Sequence, residues 1–530
     1  MANASAAQSP IDVPRADDRI DRRKLLTFML MVFGMFMAIL DIQIVSASLA
    51  EIQAGLSASS SEITWVQTSY LIAEVIMIPL SGFLSRAMGT RYLFALSAGG
   101  FTFASLMCGL STSIGSMIFW RAVQGFIGGG MIPTVFATSY TIFPKSKIPV
   151  ISPMIGLVAT LAPTIGPTVG GYLTDALSWH WLFFINVIPG IIVTVAAFTR
   201  IDFDQPNWAL LDRFDWTGLL SMAGFLGTLE YVLEEGPRND WFNDSSVFWL
   251  TGVSAVSAVV FFARVLTADQ PIVDIRAFAN RNFALGSLFS FTVGIGLYGL
   301  TYLYPVYLGQ IRGYNALMIG EALFVTGATQ FITAPIAGKL MSKIDPRWMM
   351  FIGLLSLGLS SYLMTGMTRD WDFWEIFWPQ VLRGFGLMFA MIPVNNMALG
   401  SLPPERLKNA AGLFNLTRNL GGAVGLAMLA TMLNERTDLH LARLHERFTA
   451  AHGPAAEALA NLTKGMAAFG SSAQDMALKQ LSGIVHRQGV VMAFADVFLV
   501  LAILYGSLAF TVCLMRRPAA AQPSGPAAGH

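Results

Sequence analysis

Charged residues are scarce in this sequence. Asp, Glu, Lys and Arg make up 12% of its 530 residues, whereas soluble domains carry about 25%. Ala, Val, Ile, Leu, Met, Phe, Trp, Tyr and Cys together reach 54%, and the mean hydropathy is +0.59. Because so few charges cannot cover a water-facing surface of this size, a soluble enzyme, a disordered chain and a secreted disulfide scaffold are excluded. The composition predicts a polytopic membrane protein.

Cysteines, catalytic motifs and net charge are also nearly absent. The two cysteines, Cys108 and Cys513, lie in apolar stretches and offer neither a disulfide framework nor a metal-ligand spacing. The sequence has no G-x-x-x-x-G-K-S/T phosphate loop and no H-E-x-x-H, C-x-x-C or G-x-S-x-G motif. A formal net charge of +1 provides no general attraction for nucleic acid. We therefore expect no enzyme activity, no cofactor, no metal, no ATP site and no nucleic-acid partner.

Long apolar runs, in contrast, are abundant, and they predict the fold class. A bilayer core of about 30 Å needs roughly 20 helical residues. The runs are continuous rather than alternating, which favours helices over a β-barrel. They predict an all-α polytopic membrane protein with fourteen transmembrane helices, near residues 25–49, 63–84, 92–110, 115–141, 149–173, 181–199, 215–234, 246–266, 283–308, 317–338, 349–368, 376–399, 410–432 and 489–515.

The distribution of Lys and Arg predicts how these helices are oriented. With a cytoplasmic N-terminus, the inside segments hold most of these residues, while the short outside loops hold only Arg238, Arg312 and Arg369. This asymmetry requires an even number of spans, so both termini are expected in the cytoplasm. The predicted division is a cytoplasmic tail 1–24, a six-helix half 25–199, a linker 200–282 with two extra helices, a second six-helix half 283–515 with a long outer loop 433–488, and a cytoplasmic tail 516–530.

The two halves resemble each other. The segment GFLSRAMGTR (82–91) after the second span is similar to GKLMSKIDPR (338–347) after the tenth. The fourth span contains FWRAVQGFIGGGMIP (119–133), and the twelfth contains FWPQVLRGFGLMFAMIP (377–393). Two halves of like design are what a transporter needs to expose a site near the midplane to each side in turn.

The helix pair between the halves, 215–234 and 246–266, has no counterpart elsewhere in the chain. We expect it to be a peripheral spacer rather than part of the pathway of the transported molecule. Its Glu230, like Glu321 of the tenth span, lies near the predicted outer interface, where a solvated position at the rim is expected.

Four motifs follow one another along the chain. They are ILDIQIVSASLAEI (39–52), with Asp41; R-x-x-Q-G, at Arg121, Gln124 and Gly125; G-P-x-x-G-G, at Gly166, Pro167, Gly170 and Gly171; and LPPERLKNAAGLFNLTRNLGG (402–422). Together they resemble the major facilitator superfamily, and within it the fourteen-helix drug:proton antiporter branch of the EmrB/QacA type, EmrB-type exporters above all. The resemblance covers essentially all fourteen spans.

One gating motif of this family is incomplete. The loop after the second helix usually reads G-x-L-a-D-r-x-G-r in the family. Gly82, Arg86, Gly89 and Arg91 match this pattern, but Ser85 occupies the Asp position. The inner gate latch that the family attributes to that carboxylate is therefore in doubt in this chain.

The resemblance implies proton-driven efflux of lipophilic or amphiphilic compounds by alternating access across the bacterial inner membrane, with the proton gradient as the energy source. It also implies two partners, an EmrA-like periplasmic membrane-fusion adaptor and a TolC-type outer-membrane channel. The alternative on the same scaffold is a dedicated exporter of a metabolite such as a fatty acid or a siderophore. A membrane receptor or enzyme is disfavoured, because catalytic clusters are absent and the halves are duplicated.

Charged residues inside a span are expensive to bury, so each one is a functional candidate. Asp41 and Arg121 are expected about 12 Å and 9 Å below the outer face, close enough in depth for an ion pair. Glu74 is expected about 16 Å down, near the midplane, where a carboxyl could take up a proton near neutral pH. These three residues are the proton-coupling candidates. The alternative for Arg121 is a structural tether that donates to backbone carbonyls at the end of the fourth helix.

The substrate cavity has its own candidates among the polar and aromatic side chains of the spans. They are Gln124, Tyr302, Asn395, Asn396, Asn415 and Arg418. Tyr302 belongs to a cluster of tyrosines that would also suit an interfacial aromatic belt. The G-P-x-x-G-G motif lets the fifth helix bend or pack tightly and seal one side of the cavity, and ordinary packing of small residues is the alternative.

The loop 433–488 is the one long segment outside the predicted spans. Its sequence predicts short amphipathic helices that are broken at Gly453 and Pro454. Their apolar faces need a cover. The loop is expected to fold back over the outer mouth of the protein or to contribute to docking of the periplasmic adaptor.

Overall fold

The computed structural model describes residues 21–144, 147–447, 453–466 and 472–516. Within these ranges the chain is helical and contains no strand. The predicted tails 1–24 and 516–530 lie almost wholly outside the described residues, so their position stays a prediction.

The first half is built from α1 (Arg22–Ala47), α2 (Leu49–Leu56), α3 (Ser60–Gly109), α4 (Ile114–Gly128), α5 (Met131–Ile142), α6 (Ile148–Ala176), α7 (Trp181–Phe184) and α8 (Val187–Arg200). The second and third predicted spans both lie in α3, which turns at Gly89, where φ is +77°. A residue with a side chain is strained in this backbone conformation, so glycine is required for the reversal. The fourth predicted span is interrupted between α4 and α5, at Gly129 and Gly130.

The remaining helices are α9 (Trp216–Glu235), α10 (Ser245–Thr267), α11 (Arg281–Gln310), α12 (Ala316–Met341), α13 (Pro346–Met364), α14 (Phe373–Leu399), α15 (Pro404–Arg447), α16 (Pro454–Gly465) and α17 (Ala473–Thr511). Eleven helices in the described part of the chain are long and apolar enough to cross a membrane. This number is lower than fourteen for three reasons. Two predicted spans share α3, the α4–α5 break divides another, and Glu230 together with several small polar residues lowers the hydropathy of α9.

The helices alternate in direction, so the bundle has two ends. We call the end with residues 48–59 and 236–244 the open end, and the end with residues 201–215 and 400–403 the closed end. The halves meet where α6 runs along α12 and where α3 and α5 pack on α15. Three glycines of α12 allow the first of these contacts: Gly320 lies against Thr168, Gly327 against Leu161 and Gly338 against Pro153.

The segment predicted as the loop 433–488 is largely a continuation of two long helices. The α15 helix runs without a break to Arg447, and α17 already begins at Ala473. The predicted break at Gly453 and Pro454 is present, because α16 starts there. The last of the predicted short amphipathic helices is not separate, since residues 474–485 form the first turns of α17.

The central helix pair is only half peripheral. The α10 helix packs mainly on α9, and just 17% of its most apolar 18-residue stretch is buried. The α9 helix contacts α3 of the first half and α15 of the second. The prediction of a peripheral spacer therefore describes α10 and is wrong for α9.

Candidate functional site

A buried polar cluster surrounds Asp41 in the middle of the first half. Arg121 Nη1 on α4 lies 2.6 Å from Asp41 Oδ2. The other carboxylate oxygen accepts hydrogen bonds from Gln124 Nε2 at 3.2 Å and from Asn186 Nδ2 at 2.8 Å. The predicted ion pair is thus present, whereas Asn186, at the N-terminus of α8, was not anticipated from the sequence. Both carboxylate oxygens are bonded, which offsets part of the desolvation that a buried charge suffers.

The guanidinium of Arg121 is held from several sides. Its Nε donates to the Val66 carbonyl oxygen at 3.1 Å, and Nη1 also donates to Gln124 Oε1 at 2.8 Å. The guanidinium carbon lies 4.2 Å from the centre of the Tyr70 ring, a favourable cation–π distance. The tether alternative predicts a backbone carbonyl as the partner, although it places this carbonyl at the end of the fourth helix and the one observed belongs to α3. The structure therefore combines a tether with an ion pair, and proton coupling stays a prediction.

A cavity of about 900 Å³ leads inward from the open end, between the two halves. Helices α1, α3, α6, α9, α11, α15 and α17 line it. On α1, α3, α9, α11 and α15 the lining residues run from the open end to about the middle of the bundle, where the cavity stops. The residues at this floor are Ile42, Glu74, Glu230, Tyr298 and Asn419. Asp41 thus lies next to the floor, one residue from Ile42.

Of the predicted cavity residues, Tyr302 lines the cavity and is 37% exposed. The others do not line it. Gln124 belongs to the buried Asp41 cluster, because it is one helical turn from Arg121 and faces the same way. Asn395 and Asn396 lie on α14, a helix that does not line the cavity, and Asn396 Nδ2 lies 2.8 Å from Met341 Sδ.

Asn415 and Arg418 are likewise buried outside the cavity. The Asn415 amide donates to the Ala411 carbonyl oxygen and accepts from Arg418. The Arg418 guanidinium lies 5.2 Å from the centre of the Phe136 ring on α5, so it faces the junction of the halves. Asn419, the next residue, is the one that reaches the cavity floor. A sequence span does not say which of two adjacent polar residues faces inward.

Two carboxylates lie at the cavity floor. Glu74 is 3% exposed and Glu230 is 6% exposed. In the described ranges neither side chain makes a hydrogen bond or an ion pair. The prediction of a solvated rim position is therefore wrong for Glu230, because α9 packs inward against α3 and buries it. Glu321 is exposed, as expected.

At the closed end, Asp204, Lys408 and the backbone of Ser85 form a polar contact between the halves, which we call the latch. Asp204, in the segment after α8, accepts from the backbone N–H and the hydroxyl of Thr90, each at 3.0 Å. Lys408 Nζ, on α15 of the second half, donates to the Asp204 carboxylate and to the Ser85 carbonyl oxygen. An acid from another segment therefore shares a lysine with the backbone of Ser85, and the gating role of this contact stays a prediction.

The other gating residues of this loop pack around the latch. Gly82 lies directly against Asn409 of α15, where a side chain would overlap it. Arg91 Nε donates to the Ile201 carbonyl oxygen at 2.7 Å. The Arg86 guanidinium lies 5.7 Å from the centre of the Phe83 ring. The contact of Gly82 holds α3 to α15 and that of Arg91 holds it to the segment after α8, whereas the Arg86 contact lies within α3.

The glycines of the G-P-x-x-G-G motif bring α6 onto α1 next to Asp41. A side chain at Gly166 would overlap Gln43, and one at Gly170 would press on the backbone of Ile44. Gly171 is buried, and Pro167 lines the cavity. The observed contact is the close packing of small residues, and a sealing motion of α6 stays a prediction.

The chain is similar to known membrane transport proteins in sequence and in fold. The family model described as Major Facilitator Superfamily matches residues 31–426. The colistin resistance protein EmrB of Acinetobacter baumannii is 42% identical over 490 residues, which are 92% of this chain and 96% of that protein. The multidrug export protein EmrB of Escherichia coli K12 is 31% identical over 87% of this chain and 90% of that protein. The human organic anion transporter MFSD10 has a similar fold, with a TM-score of 0.57, 13% identity, and coverage of 92% of this chain and all of that one.

Proposed function

The chain belongs to the major facilitator superfamily and to its EmrB-type exporters, and we propose that it exports lipophilic or amphiphilic compounds in exchange for protons. It is a multi-pass protein of the bacterial inner membrane. The observation that carries the proposal is the cavity of about 900 Å³, which is closed at one end and stops beside the buried Asp41–Arg121 pair. A pocket of this size accommodates a drug-sized molecule.

The coupling step follows from the geometry of that pair. A proton that binds a carboxylate oxygen of Asp41 removes its charge and with it the attraction to Arg121, which then keeps its bonds to Gln124 and the Val66 carbonyl. Asp41 lies on α1, and α6 packs on the same stretch of α1 and lines the cavity. Protonation at Asp41 can therefore alter the packing at the cavity wall. The proton gradient, rather than ATP, supplies the energy in this scheme.

For the topology, we propose fourteen spans with both termini in the cytoplasm. In this orientation the closed end, with Arg86, Arg91 and Lys408, faces the cytoplasm, as basic residues favour. The structure then corresponds to an outward-open state, and rupture of the Asp204–Lys408 latch is the step that opens the inner side. The fourteen-span count and the orientation can be tested by cysteine labelling from each side of the membrane.

For the partners, we propose a periplasmic adaptor of the EmrA kind and a TolC-type outer-membrane channel. The long helices α15 and α17 support this proposal. At 44 residues α15 is about 66 Å long, whereas the hydrocarbon core is about 30 Å thick. The α15 helix therefore projects far beyond the bundle at the open end, together with the start of α17.

Deletion of this projection separates docking from transport. A variant in which a short linker replaces roughly residues 440–480 should retain efflux in membrane vesicles but lose resistance in intact double-membrane cells. Equal activity in both settings would reject the docking role. Loss of activity in both would indicate that the projection only supports the fold of the exporter.

The export function itself is tested in inverted membrane vesicles. Vesicles with the protein should accumulate lipophilic dyes when a proton gradient is applied, and an uncoupler should abolish the accumulation. Vesicles without the protein are the control. If none of several unrelated dyes accumulates, multidrug export is wrong, and a dedicated metabolite becomes the alternative to test by the same assay.

A further inference from the structure

The first helix of the central pair, α9, connects the two halves at the cavity. On one side, Thr68 Oγ1 of α3 donates to Glu235 Oε1 at 3.5 Å. On the other side, Trp241 in the segment after α9 donates through Nε1 to Thr431 Oγ1 of α15 at 2.9 Å. These contacts place α9 across the gap between α3 and α15. A helix in this position is a wall of the cavity.

The contact between α9 and α3 directs Glu230 inward. Gly227 of α9 lies beside Ile72 and Ile76, the residues two positions before and after Glu74. Glu230 follows Gly227 by three positions and so lies on the same face of the helix. This register explains why Glu230 reaches the cavity floor together with Glu74.

Among the residues that the structure describes, Glu230 has no positive partner. Its side chain is 6% exposed and makes no hydrogen bond or ion pair within the described ranges. The charges that act on it are those of Glu234 and Glu74, which are of the same sign. Arg238, a cation that also lines the cavity, lies nearer the open end, 4.0 Å from Glu235. A buried carboxylate without a partner is unfavourable unless it binds a proton or meets a cation from outside.

The α11 wall of the same cavity also suits a cation. Tyr298 and Tyr302 both line it, and the Tyr298 hydroxyl donates to Asn419 Oδ1 at 3.4 Å. Tyrosine ring faces attract organic cations, above all where water is excluded. The aliphatic side chains of Ile42, Leu71 and Val75 provide apolar contacts at the same depth.

We propose that α9 forms part of the cargo site and that the Glu230 carboxylate binds the positive group of an amphiphilic organic cation. The apolar body of the cargo then packs against the aliphatic and tyrosine walls. This inference rests on the proposed export function, because it names the cargo class of that cavity. It assigns a specificity-determining residue to a helix that has no counterpart in either six-helix half.

Two probes of the same shape and opposite charge test the proposal. Binding of tetraphenylphosphonium and of tetraphenylborate to the purified full-length protein is measured by calorimetry, with Glu230→Gln, Glu230→Asp and the matched control Glu235→Gln. Glu235 is buried on the same helix but bonded to Thr68 and does not line the cavity. Removal of a buried charge partner should weaken phosphonium binding about tenfold or more.

The expected pattern is specific. The wild type should bind the phosphonium more tightly than the borate. Glu230→Gln should lose this preference without weaker borate binding, and Glu230→Asp should have an intermediate affinity for the phosphonium. Glu235→Gln should bind both ions as the wild type does. Unchanged phosphonium binding in Glu230→Gln overturns the proposal. So does a wild type without preference for the cation, or an equal loss in Glu235→Gln, which would assign the effect to helix packing.

Dye accumulation in vesicles separates this inference from the export function. If wild-type vesicles accumulate dyes but the Gln variant binds phosphonium normally, export stands and the role of α9 is wrong. If the vesicles accumulate nothing but the preference for the phosphonium depends on Glu230, the cation site stands and export is wrong.

Discussion

Each half of the protein buries an arginine on the corresponding helix, and the surroundings of the two differ. Arg121 on α4 forms an ion pair with Asp41 at 2.6 Å. Arg383 on α14 donates instead to Thr301 Oγ1 at 2.7 Å, and its guanidinium lies 5.3 Å from the centre of the Tyr304 ring. No carboxylate within the described part of the chain lies at ion-pair distance from Arg383.

This difference separates a titratable site from a fixed charge. The pair of Asp41 and Arg121 changes its net charge when the carboxylate takes up a proton, whereas a guanidinium remains charged. The second half therefore has a buried cation but no proton acceptor beside it. We expect proton coupling to be confined to the first half, although the two halves resemble each other in sequence.

The largest effect is expected from loss of the acid in the first half. Asp41→Asn keeps the shape and the hydrogen-bonding capacity of the side chain but removes the proton site. Uphill dye accumulation in vesicles should fall to the level of vesicles without the protein. Retention of the size-exclusion profile and of downhill dye exchange controls for folding. Normal proton-driven accumulation in this variant would refute the assignment of Asp41.

The second largest effect is expected from loss of Arg121, and the corresponding loss of Arg383 should have a smaller one. Arg121→Gln leaves Asp41 buried without its counter-charge, which should destabilise the protein by about 3–5 kcal/mol unless the carboxyl binds a proton. Arg383→Gln removes a hydrogen bond and no ion pair, a loss of about 1–3 kcal/mol. Thermal unfolding in detergent and proton-coupled accumulation measure both consequences. Coupling that survives in Arg121→Gln but is lost in Arg383→Gln would reverse the comparison.

A smaller effect is expected at Glu74, the carboxylate at the cavity floor. Glutamine imitates the protonated side chain, so Glu74→Gln should behave at every pH as the wild type does at low pH. The rate of dye accumulation should therefore vary less with pH, while Asp41 still supports coupling. The test is to measure the rate between pH 5.5 and 8.5, about the pH range in which carboxyl groups in apolar sites gain or lose a proton. A pH profile that matches the wild type would exclude titration of Glu74 from the cycle.

The smallest effect is expected at the latch that joins the halves at the closed end. The Asp204 and Lys408 side chains are 23% and 19% exposed, so solvent screens their attraction. Asp204→Asn and Lys408→Gln should each lower stability by about 1 kcal/mol, and the double variant should lose little more than either one. Additive losses in thermal unfolding would show that the two residues do not interact.

Part of the site could be predicted because it depends on the position of residues along helices. Each residue of a helix adds about 1.5 Å along its axis, and this rise predicts similar depths in the membrane for Asp41 and Arg121. The similar depth was sufficient to predict that the two residues form a pair. Asn186 completes the same cluster and lies near the outer end of the predicted span 181–199, but it was missed because the coupling candidates were chosen by charge and asparagine carries none. The helical character of all fourteen predicted runs is likewise a consequence of their length and apolarity.

Other residues were assigned to the wrong surroundings because the depth of a residue in the membrane does not determine which way its side chain faces. Arg418 lies at a suitable level on α15 but faces Phe136 of α5, and Asn415 bonds to Arg418, while Asn419 reaches the cavity. Glu230 was expected at the rim because it is near the end of its span, yet α9 is held inward by its contact with α3. The orientation of a helix about its own axis is set by the helices that pack against it. The sequence of one segment does not show which helices these are.

The sequence by itself determined that the protein lies in a membrane, that it is helical and that its two halves correspond. These properties follow from sums along the chain: hydrophobic length, charge distribution and repeated motifs. Only the tertiary structure decided that α9 is a cavity wall, that Asp204 and the backbone of Ser85 share Lys408, and that no carboxylate of the described residues pairs with Arg383. The physical reason is that each depends on a contact between segments far apart in the chain, and such contacts arise from packing rather than from local preference.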